Sequence, residues 1–368
     1  MKQLKMIAAD VRRPTPLRWF VTLVTVAVLV VVVPVHQVRA CAFDMVKPER
    51  TAIDWVVEAD HLLLARPKPE NPFAYGMVEV LYGDTTEIDI PHLVDRTARH
   101  RLSSAPQDAV LFARFDDGDW RRVAYVDAEF RRVLDISLAH RDEWQAGFHE
   151  SRLRLIDSLQ DIDHRTLRFL LISELDKVPY DQLRTLDLRI PAGQLLSELW
   201  QPANYPFQAI HVLLLGLSND AAARAEIYNF VDRAKDQMSP TNLGAFSAAL
   251  IELEGAAAVQ KLSEDILFDP NQPLDKVEQV VMALSVQHAV TDAQTQQAIA
   301  DTLSDLVEKR PETGALIARQ FTLRSDWSQA ILLEPLIRER KLTSIKDLAS
   351  VTAYVLRAKQ TTAQSEDG

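Results

Sequence analysis

Read as a pattern of apolar and polar positions, the chain changes period twice after its start. Trp19 to Val33 is an uninterrupted apolar run. From His61 to Val126 short apolar stretches are broken by polar, Pro-rich or Gly-bearing segments, the signature of short strands. From Asp142 onward apolar residues recur at the three-to-four spacing of helices. The pattern predicts an α+β chain in four parts. Residues 1–40 form a leader, 41–140 a small β-rich module, 141–360 an all-α domain, and 361–368 a polar, disordered tail.

The leader has the layout of an export signal. Lys2, Lys5, Arg12, Arg13 and Arg18 precede the apolar run, and Pro34 ends it ahead of the polar stretch VHQVR. Helical, the run reaches about 22 Å, short of a hydrocarbon core of about 30 Å. Cleavage is therefore expected over a retained membrane anchor, with Val38 and Ala40 as the small residues before the cut and Cys41 as the first mature residue. Cys41 is the single cysteine, so no intrachain disulfide exists. The run Val38, Arg39, Ala40, Cys41 resembles a bacterial lipoprotein box, which implies lipidation on the Cys41 sulfur, although Arg39 departs from that pattern. The expected location is the periplasm or the periplasmic face of a membrane.

In the β module, Ile53, Val56 and Val57 share one helical face. Strands are predicted at His61–Ala65, Tyr75–Tyr82, Glu87–Ile90, Ala109–Phe115 and Trp120–Val126, the last two forming a hairpin around Asp116, Asp117, Gly118 and Asp119. The prolines of RPKPENP exclude helix and central strand after Ala65. This succession, with Ala59 and Asp60 before the first strand, the second closing as Glu79 to Asp84, and the later VLFARF, resembles bacterial exported modules of the netrin or metalloproteinase-inhibitor type. The resemblance implies an OB-like five-stranded barrel. The disulfide cysteines of many such modules are missing, so no inhibitor activity follows.

Within the helical part, Trp144, Phe148, Leu155 and Leu159 predict an apolar stripe joining the two domains, and Asp163 is expected to cap a helix from His164 to Leu175. Pro179 starts another helix. Farther on, Pro206, Pro240, Pro273 and Pro311 recur at roughly 33–38-residue intervals, each just ahead of an apolar helical pattern. Two helices fit between consecutive starts, jointed at Asn219, Asp220, Gly255 and Thr291, with a last helix opening at Thr343. Such hairpins bury their apolar faces only by stacking. They resemble HEAT-like or tetratricopeptide-like repeats, which implies an α-solenoid; the alternative is an irregular helical bundle.

Composition narrows the partners. The formal charge is -11, and because the leader is basic, both halves of the remainder are acidic. A nucleic acid is therefore not expected as partner. The chain contains no Gly-rich phosphate loop, GxSxG elbow, HExxH helix or CxxC pair. The acids of Asp116 to Asp119 read as a turn rather than a calcium loop. His92, Asp95 and His100 match no zinc spacing, lie among Arg96, Arg99 and Arg101, and read as a solvated loop. Those arginines, with Arg121, Arg122, Arg131 and Arg132, allow two readings, a local basic patch for an acidic partner and solvated strand faces, of which the second is expected. His149 with Glu150, and Asp161 with Asp163 and His164, are the nearest approach to an acid/base pair and are explained as helix ends. His211 and His288 fall inside apolar helices. No catalytic residue, metal ligand or cofactor is predicted. The expectation is a non-enzymatic exported scaffold that binds a protein through its helical surface; the alternatives are a peptide- or glycan-binding β module supported by the helices, and an enzyme without a readable motif.

Overall fold

The computed structural model describes residues 50–84, 89–116, 118–147 and 149–366. Residues 1–49, which hold the expected leader and the expected cleavage site at Ala40 and Cys41, lie outside the described residues. The first element, α1 (Ala52–Glu58), starts from a capping box in which Thr51 Oγ1 accepts from the Asp54 N–H and Asp54 accepts from the Thr51 N–H. These reciprocal bonds satisfy two otherwise orphaned donors.

Four antiparallel strands follow in the spatial order β2-β1-β3-β4: β1 (His61–Pro67), β2 (Tyr75–Tyr82), β3 (Ala109–Arg114) and β4 (Arg121–Val126). β1 and β3 are central and buried on both faces, which is why they read as continuous apolar runs. Their side chains divide by the two-residue period. Leu62, Leu64, Leu111 and Ala113 face the helices, and Leu63, Ala65, Val110 and Phe112 face the other way onto Ala98 and Leu102. Pro67 closes β1 opposite Tyr75, so the proline-rich stretch ends the central strand two pairs later than expected. The hairpin of β3 and β4 forms as read. Of the expected strand Glu87–Ile90, residues 85–88 lie outside the described residues, and Asp89 and Ile90 are not in a strand.

Two helices stand where none was expected. α2 (Arg96–Ser104) replaces the solvated loop: Asp95 caps it by accepting from the Ala98 N–H, and Ala98 and Leu102, one turn apart, seal the second face of the sheet. α3 (Ala128–Ala139), capped by Asp127, starts the helical region well before Asp142. The stripe of Trp144, Leu155 and Leu159 is buried as expected but sits on two helices, α4 (Arg141–Gln145) and α5 (Glu150–Leu159), separated near Gly147, whose φ is 142°. Phe148 lies outside the described residues. His164, rather than Asp163, caps α6 (Arg165–Leu175). Packing is continuous across residue 140: one face of the sheet and the helices share a single core.

The remaining helices are α7 (Tyr180–Leu183), α8 (Ala192–Leu199), and then pairs: α9 (Gln208–Leu217) with α10 (Ala221–Ala234), α11 (Leu243–Glu254) with α12 (Ala256–Leu262), α13 (Leu274–His288) with α14 (Ala293–Lys309), and α15 (Gly314–Thr322) with α16 (Ala330–Arg338). The last is α17 (Ile345–Glu366). Left-handed Asn219 and Gly255 make two of the turns, with φ of 51° and 57°. First members pack on one another in succession, α9 on α11, α11 on α13, α13 on α15 and α15 on α17. Buried polar side chains tie neighbours together. Asn242 donates to Gln208 at 2.6 Å, Gln287 to the Ala248 carbonyl at 2.8 Å, and Lys276 Nζ to the Lys235 and Gln237 carbonyls at 2.7 and 2.9 Å. Lys276 thereby supplies donors for carbonyls at and just past the C-terminus of α10, which that helix leaves open. α17 continues through Thr361 and Thr362, whose hydroxyls donate to carbonyls one turn back, into the stretch expected to be disordered. No described helix is long and apolar enough to cross a membrane.

Candidate functional site

Asp54 and Thr51, fixed by the capping box, point into a cluster of buried ions. Arg152 on α5 donates to Asp54 Oδ1 at 2.7 Å and to Glu174 Oε2 at 2.8 Å from Nε. The Thr51 hydroxyl donates to the other Glu174 oxygen, and Lys177 Nζ pairs with Asp54 Oδ2. Side chains of Asp54, Arg152 and Glu174 retain 6, 7 and 0 % exposure, so the pairing has to be satisfied internally. Burial pushes the Glu174 carboxyl above its ordinary range, reinforced by the Asp54 charge, although Arg152 opposes the rise. Burial also pushes Asp54 upward, but Arg152 and Lys177 outweigh it and hold that carboxyl below its ordinary range. Two carboxylates in one cluster are thus driven apart.

Beside this cluster opens a cavity of about 360 Å³. Its walls come from the start of α1, from β4, from α3 and α6, and from Phe207 in the 3-10 turn Pro202–Phe207. Trp55, Val123, Tyr125, Phe130, Leu170 and Phe207 supply apolar surface. Phe169, half exposed, stands edge-on to Phe207 with centroids 5.2 Å apart. Four consecutive β4 residues, Arg122 to Tyr125, line the cavity. A regular strand alternates faces; here the pairing slips at Val123, since Leu111 faces Ala124 and Phe112 faces Arg122. That bulge turns the strand at the cavity.

Three cations line the space, Arg50, Arg122 and Lys177, against one carboxylate, Asp176. Arg50 pairs with Glu58 at 2.6 Å and lies over the Trp55 and Phe115 rings. Arg122 pairs with Asp95 at 2.8 Å. Thr51 and Lys177 belong to both cavity and ion cluster, so the cluster fixes part of the wall.

The residues weighed in the sequence are dispersed. His149 Nδ1 lies 2.8 Å from Glu143, not beside Glu150, which faces Arg154 at 3.8 Å. His164 Nε2 lies 2.8 Å from Asp127, while Asp161 is held by Arg189 at 3.0 Å. His92 meets the Trp120 carbonyl at 2.6 Å, Asp95 caps α2, and His100 is exposed. Asp116 meets His61 at 2.8 Å, and Asp117 lies outside the described residues. His211 is buried against the Phe207 carbonyl at 2.7 Å, and His288 meets Asp326 at 2.9 Å. Arg101, Arg122, Arg131 and Arg132 each reach a local carboxylate. Among the described residues no group of three or more His, Cys, Asp or Glu is arranged to hold a metal.

None of the cluster residues was singled out in the sequence. Two signals were present: Thr51-x-x-Asp54 has the spacing of a capping box, and Glu174 is an acid within the apolar run LRFLLISEL. No family model, curated protein or solved structure matches the chain.

Proposed function

We propose that the protein is a non-enzymatic binding protein whose ligand occupies the cavity between β4, α1 and α6. One observation carries this reading: a concave, mostly apolar space has polar wall residues, Thr51 and Lys177, anchored from behind by a buried ion cluster. Binding sites combine apolar area with a few fixed polar groups in this way, and prior rigidity lowers the cost of binding. The β module, read as OB-like, supplies one wall, and the helices, read as a HEAT-like α-solenoid, support the other. Export, with the mature chain starting at or anchored near Cys41, would place the cavity outside the cytoplasm. The test is titration with the fluorescent apolar probe phenylnaphthylamine. Saturable enhancement lost in Ala124→Trp, with an unchanged far-ultraviolet circular dichroism spectrum, supports the reading; undiminished binding in that variant moves the site elsewhere.

A second reading, a scaffold for a protein partner, draws on the groove between α12 and α14. Ala257, Ala298 and Thr302 line it beside Glu264, Asp301 and Asp305. Small residues and an acidic rim suit a basic amphipathic helix. Capture of such a helix, lost in Ala298→Trp and retained in Ala124→Trp, would favour it.

A further inference from the structure

We infer that the cavity takes a single apolar acid, a monocarboxylate with an aliphatic or aromatic body the size of a medium-chain fatty acid or an arylacetate. The inference rests on the binding reading above and adds the class of ligand. Shape comes first. A volume of about 360 Å³ is at the lower end of the 300–1,000 Å³ of small-molecule sites, which favours one compact body over a two-chain lipid.

An extended peptide is disfavoured by the wall itself. β4 is a sheet edge, but its bulge at Val123 breaks the ladder register that an added strand needs.

Charge selects the head group. The chain as a whole is strongly acidic, with formal charge -11, yet this lining has three cations to one carboxylate. Two of them, Arg50 and Arg122, sit in partly exposed pairs with Glu58 and Asp95 at 35 and 43 % side-chain exposure. Lys177 is more enclosed, at 15 %, and its ion-pair partner among the described residues is Asp54. An ammonium has three donors, so Lys177 can hold Asp54 and still donate to a second carboxylate. The Thr51 hydroxyl, committed to Glu174, fixes the wall next to it. An apolar amine would meet the same cations and be repelled, whereas an alcohol of equal length would gain the apolar contacts without the ionic one.

The experiment displaces phenylnaphthylamine from the full chain, produced with its own leader, using decanoate, decanol and decylamine at neutral pH. Decanoate is expected to compete at least about tenfold better than decanol, the ratio for one hydrogen bond to a charged group, and decylamine least. Lys177→Gln should bring decanoate close to decanol, and Lys177→Arg should restore the difference. Because Lys177→Gln also disturbs Asp54, the double variant Arg50→Gln, Arg122→Gln is the second arm, and its removal of two surface cations should weaken decanoate alone. Equal competition by acid and alcohol, or preference for the amine, overturns the acid assignment while the binding reading stands. If phenylnaphthylamine itself does not bind, or binds equally to Ala124→Trp, both fail.

Discussion

Arg152 and Glu174 form a side-chain pair at 2.8 Å that water barely reaches, joining α5 to α6, and through Asp54 the same guanidinium reaches α1 98 residues upstream. The pair therefore organises the wall of the cavity. Arg152→Met would leave two carboxylates facing each other in the interior with Lys177 as remaining cation. Breaking a buried pair from one side costs about 3–5 kcal/mol, and that loss is expected from urea unfolding. Glu174→Gln retains a hydrogen-bonding group toward Thr51 and Arg152 and should cost much less. Similar losses in the two variants would show that the charge pairing does not control stability.

The opposite displacements of Glu174 and Asp54 predict two limbs of opposite slope in stability against pH. Asp54 is depressed in the folded state, so below its ordinary value of 3.8 the unfolded chain takes up the proton first, and stability falls as pH drops through the folded value. Glu174 is raised, so above its ordinary value of 4.5 the unfolded chain loses the proton first, and stability falls as pH rises toward the folded value. Urea midpoints measured across that range should lose the acid limb in Asp54→Asn and the limb above 4.5 in Glu174→Gln. A Glu174→Gln profile parallel to the parent above 4.5 would contradict the raised carboxyl.

The helical pairs were legible because their punctuation is local. Pro273 caps α13, Pro311 opens the turn into α15, and Asp220 caps α10 through its own side chain; each signal lies within a few residues of what it starts. α2 was not legible, because only Ala98 and Leu102 of a polar, arginine-rich segment are buried, too few to show a helical period. α3 was hidden by its continuity with the β4 strand that precedes Asp127. The candidate site was least legible. Its bonds span 22, 98 and 123 residues, and a spacing of that kind follows from tertiary packing, not from any periodicity.

For the N-terminus, the proposal is processing at Ala40–Cys41. Intact mass of protein recovered from soluble and membrane fractions should begin at Cys41, with an added diacylglyceryl mass if the sulfur is lipidated. A mass beginning at Met1 in the membrane fraction would make the leader an anchor and withdraw the cleavage proposal.

The same substitution at two glycines should act with opposite signs. Gly216 on α9 is where that helix meets α11: a Cβ there would come within 2.9 Å of Ala249 Cβ and 3.0 Å of its Cα. Backbone cannot swing aside as a long side chain does, so Gly216→Ala must push two packed helices apart, at an overpacking cost of about 1–3 kcal/mol. Gly193, near the start of α8, has nothing within 4 Å of the added methyl. There the dominant effect is on the unfolded chain, whose conformational freedom falls when glycine is replaced, and Gly193→Ala should stabilise by about 0.4–1 kcal/mol. Thermal unfolding of both variants decides the matter. A Gly216→Ala protein as stable as the parent would mean that α9 and α11 do not approach as closely as this contact requires, and with it the close stacking of successive first helices would have to be given up.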